Sequence, residues 1–162
     1  LAKILTRQAK KTMAKGALLG TAAVIAGLAA AGLIVGAIEA LGSLLHPELA
    51  EQMQDPGNLR AEEIPPDAVA IILVAWCAGA VAGAFVAALV TAKSLRRRSL
   101  IPAYGFGLLF VAACIANLWI IPHPTWMAFL GIVAPALLVM TTAKLTLRTF
   151  YRRREEPDGM KN

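Results

Sequence analysis

Six side chains of chemically capable types stand in or beside long apolar runs: Glu39, His46, Cys77, Cys114, Asn117 and His123. A carboxylate at membrane depth is the residue type that couples proton or ion movement to transport. Two imidazoles and a carboxylate could ligate a transition metal, and two thiols could exchange with a disulfide. Their spacing argues against most of this chemistry. His46 precedes Pro47, and His123 stands between Pro122 and Pro124, so both histidines belong to turns. Haem held by two histidines needs imidazoles at membrane depth on facing helices, which these are not. Cys77 and Cys114 form no Cys-x-x-Cys pair and read as inert packed thiols. No catalytic residue, cofactor or metal is expected.

The elements that must position these groups are four apolar runs, residues 16–38, 68–92, 100–121 and 125–143. Each is about as long as the roughly 20 residues that cross a bilayer. None contains Lys, Arg, Asp or Glu, each of which would cost about 2.5–3.5 kcal/mol at a helix centre. The predicted fold is an all-α membrane protein, a bundle of four transmembrane helices with its N- and C-termini on the same side. A soluble fold would need a very large core to absorb 58% apolar residues. Two-helix halves that both enter from one side also preclude an inverted repeat of the transporter kind within one chain.

Charge sets the orientation. All sixteen basic residues except Arg60 lie before the first run, between the second and third, or after the fourth. The loop between the first and second runs instead carries Glu48, Glu51, Asp55, Glu62, Glu63 and Asp67. The positive-inside rule therefore places both termini in the cytoplasm. Lys93, Arg96, Arg97, Arg98, Arg152, Arg153 and Arg154 are expected to meet anionic lipid headgroups there. Nucleic acid is not an expected partner, because no reading module accompanies the basic charge.

The connections differ in kind. Residues 1–15 carry Leu1, Ile4, Leu5, Ala9 and Met13 at helical spacing between basic residues, a basic amphipathic segment feeding the first span. Because the sequence opens on Leu1, residues are expected to precede it in the native chain; the first run is too long for a cleaved signal peptide. A short helix is predicted from Pro47 to Gln54, ended by an Asp55-Pro56-Gly57-Asn58 turn, and Asp67 is placed to cap the second span. The Ile121–Pro124 link allows only a tight turn between the third and fourth spans. The four-helix domain is predicted to occupy 16–151, helical to about Tyr151, with 152–162 a disordered cytoplasmic tail. Trp119 and Trp126 suit an outer aromatic belt and Tyr104, Phe150 and Tyr151 an inner one, whereas Trp76 lies deeper, packed between helices. Pro135 should bend the fourth span.

Glycines at four-residue spacing, Gly16 with Gly20, Gly32 with Gly36 and Gly79 with Gly83, make shallow grooves where helices approach closely. Their partners are within this chain or in another one. Two polar groups are the expected buried ones, Asn117 and Glu39. Glu39 falls about 34 Å along a straight helix from Gly16 at ~1.5 Å per residue, near the outer interface. Asn117 lies deeper and is the only carboxamide in any span. It must find a partner, either a backbone carbonyl or a group at the outer end of the first span, Glu39 being the first candidate.

The stretch Ala116-Asn117-Leu118-Trp119-Ile120-Ile121-Pro122-His123-Pro124-Thr125-Trp126 resembles a group of small four-helix bacterial inner-membrane proteins of unknown function. Ile38-Glu39-Ala40-Leu41-Gly42, Pro47 and the Trp76, Gly79, Gly83 pattern carry the same resemblance. It implies a four-helix fold and the bacterial inner membrane; the loop after Pro47 and the long basic ends depart from it. The function expected is that of a non-catalytic accessory or structural subunit, or an assembly factor, of a larger membrane complex. The alternative is a small homo-oligomeric transporter or channel using Glu39.

Overall fold

A computed structural model of the chain describes residues 2–52, 64–95, 99–121 and 123–155. Arg96, Arg97 and Arg98, the Asp55–Asn58 turn, Pro122 and residues 156–162 of the expected tail lie outside the described residues. All regular elements among those described are helices: α1 Ala2–Leu45, α2 Pro47–Gln52, α3 Pro66–Leu95, α4 Ile101–Ile120 and α5 Thr125–Glu155. Four of them, α1, α3, α4 and α5, are long and apolar enough to cross a membrane.

Residues 2–15 of the basic segment are one piece with the span that follows, in a helix of 44 residues. Its Lys, Arg, Ala and Leu are strong helix formers, and the lone break in that composition, Gly16, costs only about 1 kcal/mol. The helix stops where Pro47 drives the preceding His46 out of helical backbone. The short helix α2 is present over Pro47–Gln52, and residues 53 and 54 of the expected helix lie outside the described residues. Pro66 opens α3, and Asp67 in its first turn complements the positive helix end. Pro102 similarly occupies the first turn of α4. That helix closes on Ile121, extended at φ −113° and ψ 128° ahead of Pro122. Pro135 is fully buried inside α5, whose helix runs continuously past it.

Successive long helices alternate in direction. Gly27 of α1 lies against Gly83 of α3, and Gly42 against Ile71, so these two helices run antiparallel. Gly20 beside Pro102 and Gly27 beside Phe106 make α4 parallel to α1. The start of α1 and the end of α5 consequently share one end of the bundle. Helix α3 is central and packs on α1, α4 and α5. Seven of its alanines (Ala68, Ala75, Ala80, Ala84, Ala87, Ala88 and Ala92) are buried. Small side chains let neighbouring backbones approach, so dispersion contacts replace the hydrophobic driving force that a bilayer does not supply. Phe106, Met127 and Val69 fill the remaining volume, and the buried Thr91 hydroxyl donates to the Ala87 carbonyl at 2.7 Å.

The glycine pairs divide sharply. A Cβ on Gly83 would stand 2.8 Å from the Gly27 carbonyl oxygen and closer still to the Phe106 ring. Gly79 is packed as tightly, against Val35, Ala31 and Phe110. Gly20 has ordinary clearance from Pro102, whereas Gly16, Gly32 and Gly36 meet nothing within 4 Å. Packing inside the chain therefore belongs to Gly79 and Gly83 with Gly27, a residue outside the expected pairs. Buried Ala23, Gly27 and Ala31 succeed one another every four residues and define one stripe of α1. Gly32 and Gly36 lie outside that stripe.

Candidate functional site at the acidic end of the bundle

Helix α4, at 20 residues, spans about 30 Å at ~1.5 Å per residue. That matches the thickness of a bilayer's hydrocarbon core. The turn between α4 and α5 thus marks one boundary of the apolar layer. Trp119, 88% exposed, and Trp126 flank it on the outside of the bundle, as an aromatic belt requires. On the inside of the same turn, the His123 ring lies 6.2 Å from Trp76, centroid to centroid. Trp76 is about ten residues, or ~15 Å, past the start of α3. The Gly79–Phe110 and Gly83–Phe106 contacts set the start of α3 about level with the end of α4, so Trp76 reaches the turn with its long side chain. His46 fastens the ends of α1 and α3: its Nε2 is 3.2 Å from the Asp67 carboxylate, and its Nδ1 is 3.5 Å from that of Glu48.

At the level of the turn, three elements bring together Glu39, Trp76 and His123. The Trp76 indole N–H donates to the Glu39 carboxylate. The indole itself is only 3% exposed, and its six-membered ring lies where a side chain on Gly131 of α5 would have to be. His123 Nδ1 is 2.6 Å from the Ile121 carbonyl oxygen, which can only accept, so Nδ1 carries the proton of that bond. His123 Nε2 is buried and has no hydrogen-bond partner among the described residues. The cluster pins α1 to α3 through a charge-assisted hydrogen bond, and sets the α4–α5 turn against the same tryptophan.

Several expectations change here. Glu39 is exposed toward the bundle exterior rather than buried, and its partner is Trp76 instead of Asn117. The reason is position: Glu39 on α1 faces α3 at the level of Trp76, while Asn117 stands on α4 one turn before the helix end. Asn117 is half-buried; its carboxamide bonds to no described residue, and its backbone carbonyl accepts from the Ile121 amide at 3.0 Å. At the membrane boundary, headgroups and water supply what the protein does not. Asn117→Leu should accordingly change stability by no more than about 0.5 kcal/mol, as for other positions without a specific partner. Thermal unfolding in detergent measures this; a loss above ~2 kcal/mol, the size expected for an orphaned buried partner, would show a bond that the structure lacks.

His123 is not the exposed loop histidine its flanking prolines suggest, since its ring is half-buried against Trp76. A Pro-His-Pro turn this short has to fold inward over whatever large side chain the neighbouring helix presents at that level. That depth of Trp76 is the one signal in the sequence that could have predicted the contact.

The remaining candidates lie elsewhere. Among the described residues, no three His, Cys, Asp or Glu side chains gather as a metal site would require. Cys114 is buried and Cys77 half-buried, both free thiols. Lys93, Arg152, Arg153 and Arg154 are exposed at the opposite end of the bundle, where the Arg154 guanidinium lies 4.7 Å from the Phe150 ring centre. The described acidic side chains all belong to the end bearing Glu39, Glu48, Glu51 and Asp67. The chain matches no protein-family model, no curated protein and no solved structure.

Proposed function

We propose that this protein is a non-catalytic subunit or assembly factor of a larger membrane complex, engaging its partner through the outward face of α1. One observation carries the reading. Gly32 and Gly36, spaced one helical turn apart, leave a groove on α1 that no other described residue enters. Leu33, 75% exposed, and Ile25, 61% exposed, border it. Such a small-residue groove is the surface on which a second transmembrane helix packs with the most dispersion contact.

The basic end is read as cytoplasmic, with Lys93 and Arg152–Arg154 against anionic headgroups. The resemblance of the 116–126 segment supports placement in a bacterial inner membrane. Transport on Glu39 has less support: its carboxylate lies level with the turn at the edge of the apolar layer and already accepts a bond from Trp76.

Purification from native membranes in mild detergent tests the reading. The expected product is a particle much larger than the 17.1 kDa chain, containing a stoichiometric second protein. A lone monomer would refute it. Proteoliposome flux that is abolished by Glu39→Gln would establish the transporter instead.

A further inference from the structure

Between α4 and α5 lies a crevice of about 350 Å³, unrelated to the α1 face and to the Trp76 cluster. Gly107 of α4 sits tightly against Val139 of α5, and the small Gly107 and Ala136 leave room that larger side chains would have filled. The walls are apolar, with Val111 at one end and Tyr104 toward the other. The volume falls in the range of about 300–1,000 Å³ typical of small-ligand sites.

The mouth differs from the walls. The Gly107–Val139 contact and the antiparallel run of the two helices bring the first turn of α4 level with Lys144. Ala136, Met140, Lys144 and Arg148 follow one another every four residues, hence along one face of α5, from the crevice floor out to the basic end of the bundle. Lys144 and Arg148 are both exposed, and no carboxylate among the described residues pairs with either. Helix α4 starts beside them without a side-chain cap, its first backbone bond running from the Tyr104 amide to the Leu100 carbonyl at 2.9 Å. The amides ahead of that bond add positive potential at the same level.

An apolar slot crowned by two cations at the depth of the headgroups has the chemistry of one ligand class. We propose that the α4–α5 crevice is a binding site for an anionic phospholipid of the leaflet bordering the basic end. One acyl chain lies along Val111 and Ala136, and the phosphate rests at Lys144 and Arg148. Charge argues against a second copy as occupant. Two copies share one orientation in a bilayer, so closing this face on itself would set Lys144 and Arg148 against their own counterparts.

Native mass spectrometry of the full chain in detergent, titrated with phosphatidylglycerol or with phosphatidylcholine of the same acyl chains, tests the site. Phosphatidylglycerol is expected to be retained preferentially, at one molecule per chain. Lys144→Gln, a surface change that leaves packing intact, should reduce that preference about fivefold, as one juxtamembrane cation lost implies. Lys10→Gln, a basic residue on α1 that lines no part of the crevice, should leave it unchanged. Ala136→Phe should lower retention of both lipids by filling the slot. Equal retention of the two lipids, equal effects of Lys144→Gln and Lys10→Gln, or undiminished binding by a folded Ala136→Phe variant would each overturn the proposal, as would a crevice closed by self-association.

Discussion

Gly83→Val is expected to break the packing of α1, α3 and α4 at once. A side chain there has to enter the space of the Phe106 ring on one side and of the Gly27 carbonyl on the other, and the Gly27 backbone cannot swing away as the end of a flexible side chain could. Overpacking of a close-fitted core costs about 1–3 kcal/mol and more where backbone must move. The upper part of that range is expected, read as a large drop in the thermal midpoint in detergent or as failure to accumulate in the membrane. Gly36→Val is the matched control. It has the same chemistry in the same membrane, but nothing lies within 4 Å of the site, so the isolated bundle should keep its stability while partner capture is lost. Equal damage from the two changes would mean that α1 packs on a different face.

Trp76→Ala should be comparably severe. The indole is buried, fills the space against Gly131, carries the ring contact with His123 and satisfies Glu39. Removing so large a buried side chain costs about 3–5 kcal/mol. The hydrogen bond can be separated from the packing by a cycle of Trp76→Phe, Glu39→Ala and the double variant, because a phenyl ring keeps much of the contact but offers no donor. A coupling on the order of 0.6–1.7 kcal/mol is expected for an interhelical bond in a membrane setting. Strict additivity of the two changes would indicate that the bond does not form in the bilayer.

The four spans were legible because a bilayer imposes a length and a solvent on each, and both are written in composition. Helix ends were less so. Past the hydrocarbon the chain follows helix propensity, which carries α1 back to Ala2 and on to Leu45 until Pro47 intervenes. Which glycines pack was not readable, because spacing fixes which residues share a face but not which face meets a neighbour. Gly32 stands five residues beyond Gly27, roughly 140° round the helix at ~3.6 residues per turn, and only the fold decides that Gly27 points inward. The Glu39, Trp76 and His123 cluster was hidden for a related reason. Rise per residue puts Glu39 near the boundary, but it does not show that the long Trp76 side chain reaches up from α3 to the His123 ring of the α4–α5 turn. Asn117 shows the converse: its depth suggested an obligatory partner, and its place beside the turn removes the need.

Site-specific photo-crosslinking from α1 in native membranes addresses the partner-binding face most directly. A photoreactive residue at Leu33 or Ile25, both exposed, should give a discrete adduct with one other protein. The same residue at Leu108, exposed on α4, should give lipid adducts only. Lipid adducts alone from Leu33 and Ile25, indistinguishable from those at Leu108, would contradict the assignment of α1 as a partner-binding face.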